Sequence, residues 1–73
     1  MRFSFFMSKF SERLKELRNE MGLSQEQLGK ATGLSHTAIG YWELDKRVPN
    51  LDAVIVLADY FKVSLDYIAG LDD

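Results

Sequence analysis

Apolar positions recur at helical spacing along most of the chain. Phe10, Leu14, Leu17 and Met21 are four, three and four residues apart, which places them on one helix face. Ser8 is the predicted N-cap of this first helix, with Ser11 as its rival. Gly22 stands where a left-handed residue would end the helix, and Leu23 follows where an apolar contact accompanies such a stop. Ser24 and Gln27 have capping-box spacing, with Leu23 and Leu28 as the hydrophobic staple, so a second helix is predicted through Thr32, with Gly33 as its stop. The same grammar repeats. Ser35 caps a third helix over His36 to Leu44, and Leu34 and Ile39 form its staple. A polar loop over 44–49 leads to Asn50, which caps a fourth helix with Leu51, Val54, Ile55, Ala58 and Phe61 as its inner stripe. Ser64 caps a short fifth helix, with Val63 and Ile68 as staple and Gly70 as stop. No alternating run is long enough to bound a strand, and the Phe-rich start alternates too briefly. The predicted fold is all-α, five short helices around one core.

The link between the second and third helices is only Gly33-Leu34-Ser35, and so short a link forces a sharp crossing. Gly29 lies where the second helix must approach the third. Leu28, Leu34, Ile39 and Trp42 are expected to fill the angle between them, and Gly33 supplies the positive φ of the turn. Residues 24–44 therefore read as a helix-turn-helix unit. It sits inside a domain over 8–73, preceded by an N-terminal extension over 1–7.

Composition narrows the function. Seventy-three residues make one domain, and 47% hydrophobic with 27% charged residues is ordinary globular usage rather than that of a disordered or fibrous chain. The absence of cysteine removes disulfides, thiolate zinc sites and cysteine nucleophiles, and the single His36 removes paired-histidine metal sites. No metal, cofactor or small-molecule ligand is expected. So small a domain has little room for a substrate cleft, so an enzyme is not expected. The longest apolar run, Ala53 to Ala58, falls far short of the about 20 residues that cross a bilayer. The stretch Met1 to Met7 imitates a leader but ends at once in Ser8-Lys9, so the expected location is cytoplasmic. Both Met1 and Met7 stand as possible starts. The net charge of −2 divides unevenly: residues 1–47 carry +2 and residues 48–73 carry −4. A basic face with an acidic back is compatible with nucleic acid.

Several stretches together resemble one family. They are Leu14-Lys15-Glu16-Leu17-Arg18, Gly22-Leu23-Ser24-Gln25-Glu26-Gln27-Leu28, Gly33-Leu34-Ser35, Ile39, Glu43, Lys46-Arg47 and Pro49. They resemble the XRE family, the Cro and lambda-repressor-like helix-turn-helix DNA-binding domains. Val63-Ser64-Leu65-Asp66 matches that family's usual entry to a fifth helix, and the likeness covers residues 9–71. The resemblance implies sequence-specific binding of double-stranded DNA, usually as a dimer and often as a repressor. It also implies an ion pair between Arg18 and Glu43. Four positions depart from the pattern. Leu44-Asp45 stands where Asn-Gly is common, though Asp tolerates the left-handed region. Thr32 replaces a usual aliphatic, and Gly40 sits inside a helix.

Physical reasoning distributes roles along this frame. With Ala38, Ile39 and Trp42 turned inward, His36, Thr37, Gly40 and Tyr41 face outward, with Leu44 near the edge. His36, Thr37 and Tyr41 are the candidate base contacts. Ser24, Gln25 and Ser35 at helix starts, with Lys46 and Arg47 past the third helix, are the candidate phosphate contacts. Each has a plainer reading: a solvated His36, a Tyr41 packed on the surface, a Gln25 that only caps its helix, and an ordinary charged loop at Lys46 and Arg47. Trp42, Leu14 and Leu28 read as core. The expected function is a sequence-specific transcriptional regulator, a repressor acting as a homodimer on an operator. The acidic balance, Gly40 and Leu44 keep a second reading open: an antitoxin or adaptor of the same fold with weak or no DNA binding. Val56, Tyr60 and Tyr67 form the candidate dimer patch, with Phe3, Phe5 and Phe6 as its rival.

Overall fold

A computed structural model gives the fold; it describes the backbone of residues 2–71 and the side chains of residues 9–71. Five α-helices follow in order: α1 (Arg2–Glu20), α2 (Gln25–Thr32), α3 (His36–Glu43), α4 (Leu51–Phe61) and α5 (Leu65–Ala69). There is no strand among the described residues. The capping residues expected from the sequence stand where they were placed for α2 to α5. The Ser24 hydroxyl accepts from the Gln27 N–H while the Gln27 side chain accepts from the Ser24 N–H. Ser35, Asn50 and Ser64 cap α3, α4 and α5 by accepting from Ala38, Ala53 and Tyr67.

α1 departs from expectation at its start. It runs through both Ser8 and Ser11 from Arg2, so neither serine is an N-cap. Ser11 is buried, and its hydroxyl donates to the Trp42 carbonyl at the end of α3. A helix interior leaves the serine hydroxyl free for such a tertiary bond, which replaces the capping role.

The core gathers Phe10 and Leu14 of α1, Leu28 of α2, Ile39 and Trp42 of α3, Ala53, Val54, Leu57 and Ala58 of α4, and Ile68 of α5. Phe10 meets Trp42 edge-to-face at 6.4 Å between centroids, a favoured aromatic geometry. Leu17, Leu23, Leu34, Phe61 and Val63 pack half-buried around this centre. Three residues counted as inward by spacing are exposed: Met21 (51%), Leu51 (68%) and Ile55 (43%). Met21 lies beyond the last helical turn of α1. On α4 the buried stripe is centred on Ala53, Val54 and Leu57, a rotation that turns Leu51 and Ile55 to the surface. An apolar run is hydrophobic on every side, so spacing alone does not say which side is covered.

The α2–α3 junction follows the expected geometry. Gly33 has φ +79° and its N–H returns to the Gly29 carbonyl. A Cβ on Gly29 would stand 2.7 Å from the Leu34 carbonyl oxygen, so only glycine admits the crossing. Thr32 contributes more than an aliphatic would: its hydroxyl donates to the Leu28 carbonyl and accepts from the Leu34 N–H. After α3, Asp45 takes the left-handed conformation at φ +63°, as its residue type allows. Lys62 does the same at φ +60° after α4, a stop made without glycine.

Candidate nucleic-acid interface

α3 buries Ile39, Trp42 and Glu43 and turns His36, Thr37 and Tyr41 to solvent. His36 and Thr37 occupy its first turn and Tyr41 the next, so the three share one face. His36 and Thr37 also border a cleft with Glu26, Gly29 and Lys30 of α2 and with Ser35. Lys46 and Arg47 lie exposed in the following loop, and the Lys46 N–H donates to the Tyr41 carbonyl. The Arg47 guanidinium stands over the Tyr41 ring, 4.9 Å from its centroid. That cation–π contact was not foreseen from sequence, because it joins a loop residue to a helix residue whose rotamers are unknown beforehand.

Beneath this face lies a polar network linking three helices. Arg18 of α1 donates through Nε to Glu43 Oε2 at 2.6 Å and through Nη2 to Oε1 at 2.9 Å. Its third bond, from Nη1, goes to the Leu23 carbonyl just past the end of α1. The Glu43 side chain is only 3% exposed and that of Arg18 14%. The Glu43 hydrogen bond and charge raise the Arg18 pKa above its ordinary value, against the opposing effect of burial. Gln25 at the start of α2 donates from Nε2 to the same Glu43 Oε1 at 3.0 Å. Its side chain is thus engaged by α3 and half-buried, rather than standing free at the helix start. The Ser24 and Ser35 hydroxyls accept capping bonds, which leaves each a hydrogen to donate.

This geometry is that of a helix-turn-helix, and a helix-turn-helix family model matches residues 14–68. The chain belongs to the XRE family of helix-turn-helix domains. This helix-turn-helix chain is 38% identical over 64 residues to the HTH-type transcriptional regulator YobD of Bacillus subtilis, a match covering 88% of this chain and 57% of that protein. It is 38% identical over 58 residues to the HTH-type transcriptional activator BcrR of Enterococcus faecalis, covering 80% of this chain and 28% of that one. The chain therefore spans between about a quarter and three fifths of these relatives' length. Among solved structures it superposes on the restriction-modification controller protein C.AhdI of Aeromonas hydrophila with a TM-score of 0.77 and 34% identity, over 85% of this chain and 94% of that one.

Of the candidate dimer patch, Val56 and Tyr60 lie one turn apart on α4, and Tyr67 lies on α5. The Tyr67 ring lies under the Arg13 guanidinium of α1, 4.3 Å from its centroid, and Arg13 also donates to the Tyr67 carbonyl. Tyr60 is half-buried and packs edge-on against Phe61 at 5.3 Å. Only Val56 of the three is exposed. The side chains of Phe3, Phe5 and Phe6 fall outside the described residues. A broader apolar surface lies elsewhere, in a groove lined by Pro49, Leu51, Val54, Leu65, Ala69 and Leu71 between α4 and α5. Leu51, Leu65 and Leu71 are 68%, 43% and 65% exposed. Among the described residues no group of His, Asp and Glu is placed to hold a metal ion, and no helix is long and apolar enough to cross a membrane.

Proposed function

We propose that this chain is a sequence-specific DNA-binding transcriptional repressor of the cytoplasm that works as a homodimer and reads the major groove with α3. The observation that carries the reading is the outward face of α3. His36, Thr37 and Tyr41 stand exposed over a helix whose opposite side is core. His36 offers a donor or acceptor to a base edge, and Thr37 offers a hydroxyl and a methyl. The amino-terminal turn of α2 and the Lys46–Arg47 loop are the groups proposed to meet the phosphates beside that face. Size supports the dimer. The chain measures 32 Å along its longest axis, while successive half-sites lie about 34–36 Å apart. One copy reads one half-site. The apolar groove at Leu51, Leu65 and Leu71 is the surface on which a second copy is proposed to sit, in place of the Val56 patch. Repression needs only occupancy of a promoter, whereas activation needs a further contact with the transcription machinery.

The test is selection of bound duplexes from a random-sequence pool, followed by gel shift and a reporter carrying the selected site. A palindromic consensus, two chains per duplex and lowered reporter output are the expected results. Failure to enrich any sequence would overturn the reading in favour of a protein-interaction module. Raised output would leave DNA binding intact and reverse the direction of regulation.

A further inference from the structure

Gly40 sits in mid-helix on the outward side of α3, where glycine weakens a helix relative to alanine. The turn chemistry does not require it, since its φ is not positive. What lies over it is Gln25. A Cβ built on Gly40 would stand 3.1 Å from Gln25 Oε1, and 3.7 and 3.8 Å from Cδ and Nε2. The Gln25 carboxamide therefore lies across the place a side chain would fill. Its yielding would disturb the bond from Nε2 to Glu43 Oε1, and Glu43 is itself held by Arg18 from α1. The carboxamide is held between a missing side chain and a buried carboxylate. The bond to Glu43 uses one Nε2 hydrogen and leaves the other to donate.

We propose that Gly40 is a positioning residue for DNA binding: its missing side chain seats the Gln25 carboxamide against Glu43, so that Gln25 meets the nucleic acid already oriented. Gly40 then acts through Gln25, not through any contact of its own. The weakened α3 is the cost, and the gain is a donor on α2 that needs no reordering when DNA arrives. The inference rests on the DNA-binding reading and adds to it a third helix position that no charge or donor would mark.

The experiment is a binding cycle on the selected duplex with the full chain: wild type, Gly40→Ala, Gln25→Ala and the double variant. Gly40→Ala gains helix propensity but disturbs the Gln25–Glu43 bond, so the melting temperature is expected to change little. The variant is expected to weaken binding about 3- to 10-fold, the range of one ordinary hydrogen bond. In the Gln25→Ala background the same change is expected to cost nothing. In the free protein, the side-chain amide signals of Gln25 should move in Gly40→Ala, while those of Gln27, bonded to Ser24, stay in place. An equal loss from Gly40→Ala with and without Gln25 would overturn the proposal, because the added methyl would then be meeting DNA directly. So would an unchanged affinity or unmoved Gln25 signals. If the wild type enriches no duplex, the DNA-binding reading itself falls and this proposal with it. A bound wild type with a flat cycle removes this proposal alone.

Discussion

Two exposed faces of this small domain differ in kind. Around α2 and α3 the surface groups are mostly polar or charged, with Tyr41 and Leu44 among them, and several are held by bonds to neighbours: Gln25 by Glu43, Arg47 by Tyr41, and the Ser24 and Ser35 hydroxyls by their helix starts. Around the α4–α5 groove the surface groups are leucines with little covering them, and the acidic residue on the lining is Asp66. A polar group fixed before binding loses less freedom when it meets a partner. An uncovered apolar groove gains by being removed from water. The first face is suited to a hydrated polyanion and the second to another protein surface. Exposure alone would not separate them, since Tyr41 and Leu65 are 38% and 43% exposed. The separation comes from what each neighbour does.

The largest effect is expected where the apolar face is broken. Leu51→Asp places a charge in the groove and adds to the acidic side of the molecule. Leu51 is mostly exposed, so the melting temperature should hold. Affinity for a two-half-site duplex should fall by about 10²- to 10⁴-fold, the range over which two linked sites exceed one. Affinity for an isolated half-site should not change. Sedimentation and gel shift on both duplexes measure this. A full-site affinity equal to wild type would place the dimer contact on another surface.

The next effect is on the network beneath the polar face. Glu43→Ala leaves the half-buried Arg18 with only its bond to the Leu23 carbonyl, and loss of one partner from a buried pair costs about 3–5 kcal/mol. Denaturant melts read it. A cost below about 1 kcal/mol would mean that the pair behaves as a solvent-exposed one despite its burial. Replacing both residues by apolar ones of similar volume should recover much of the stability. It should not recover DNA affinity, because Gln25 would lose its anchor.

Much of the frame was legible from the residues, and the reason is locality. A capping serine with glutamine three residues on, or glycine after the last periodic position, acts within one turn of chain. Hence Ser24, Ser35, Asn50, Ser64, Gly33 and Gly70 stand where their spacing placed them. The misses are non-local. Ser11 was read as a cap because its bond to Trp42 joins positions 31 residues apart. Leu51 and Ile55 were read as core because an apolar stretch does not name its covered side. The stacking of Arg13 on Tyr67 is likewise hidden from the sequence, because the two come from different helices. At the candidate interface, sequence marked the helix face but not the bonds that hold it. Gln25 on Glu43 and Arg47 on Tyr41 depend on side-chain geometry across elements.

Within the polar face, readout and anchoring should separate. His36→Ala or Thr37→Ala should cost about 1–3 kcal/mol on the selected site and relax preference at one or two base pairs. The loss should be much smaller on scrambled duplexes. Competition gel shifts against single-base variants test this. A His36→Ala or Thr37→Ala protein with unchanged preference would mean that α3 is not the reading element.

The smallest effect is the most diagnostic of the contrast, because salt should act on the two faces with opposite sign. Lys46→Ala should weaken all duplexes alike and flatten the log–log salt dependence by about 0.9 for one lost phosphate contact. Arg47 should behave differently, because its guanidinium also covers Tyr41. Arg47→Lys keeps the charge, so the slope should hold. It loses the planar stack, so preference should relax at the base pair that Tyr41 approaches. The apolar face carries Asp66 on its lining. In a dimer sealed through this groove, the Asp66 carboxylates of the two copies would be brought closer together. Added salt screens that repulsion and leaves apolar burial intact, so self-association of the free chain should tighten as DNA affinity falls. Sedimentation without DNA and gel shift with DNA, run over one salt series, compare the two directly. If self-association weakens with salt in step with DNA binding, the dimer is held by opposite charges, and the α4–α5 groove is not its contact.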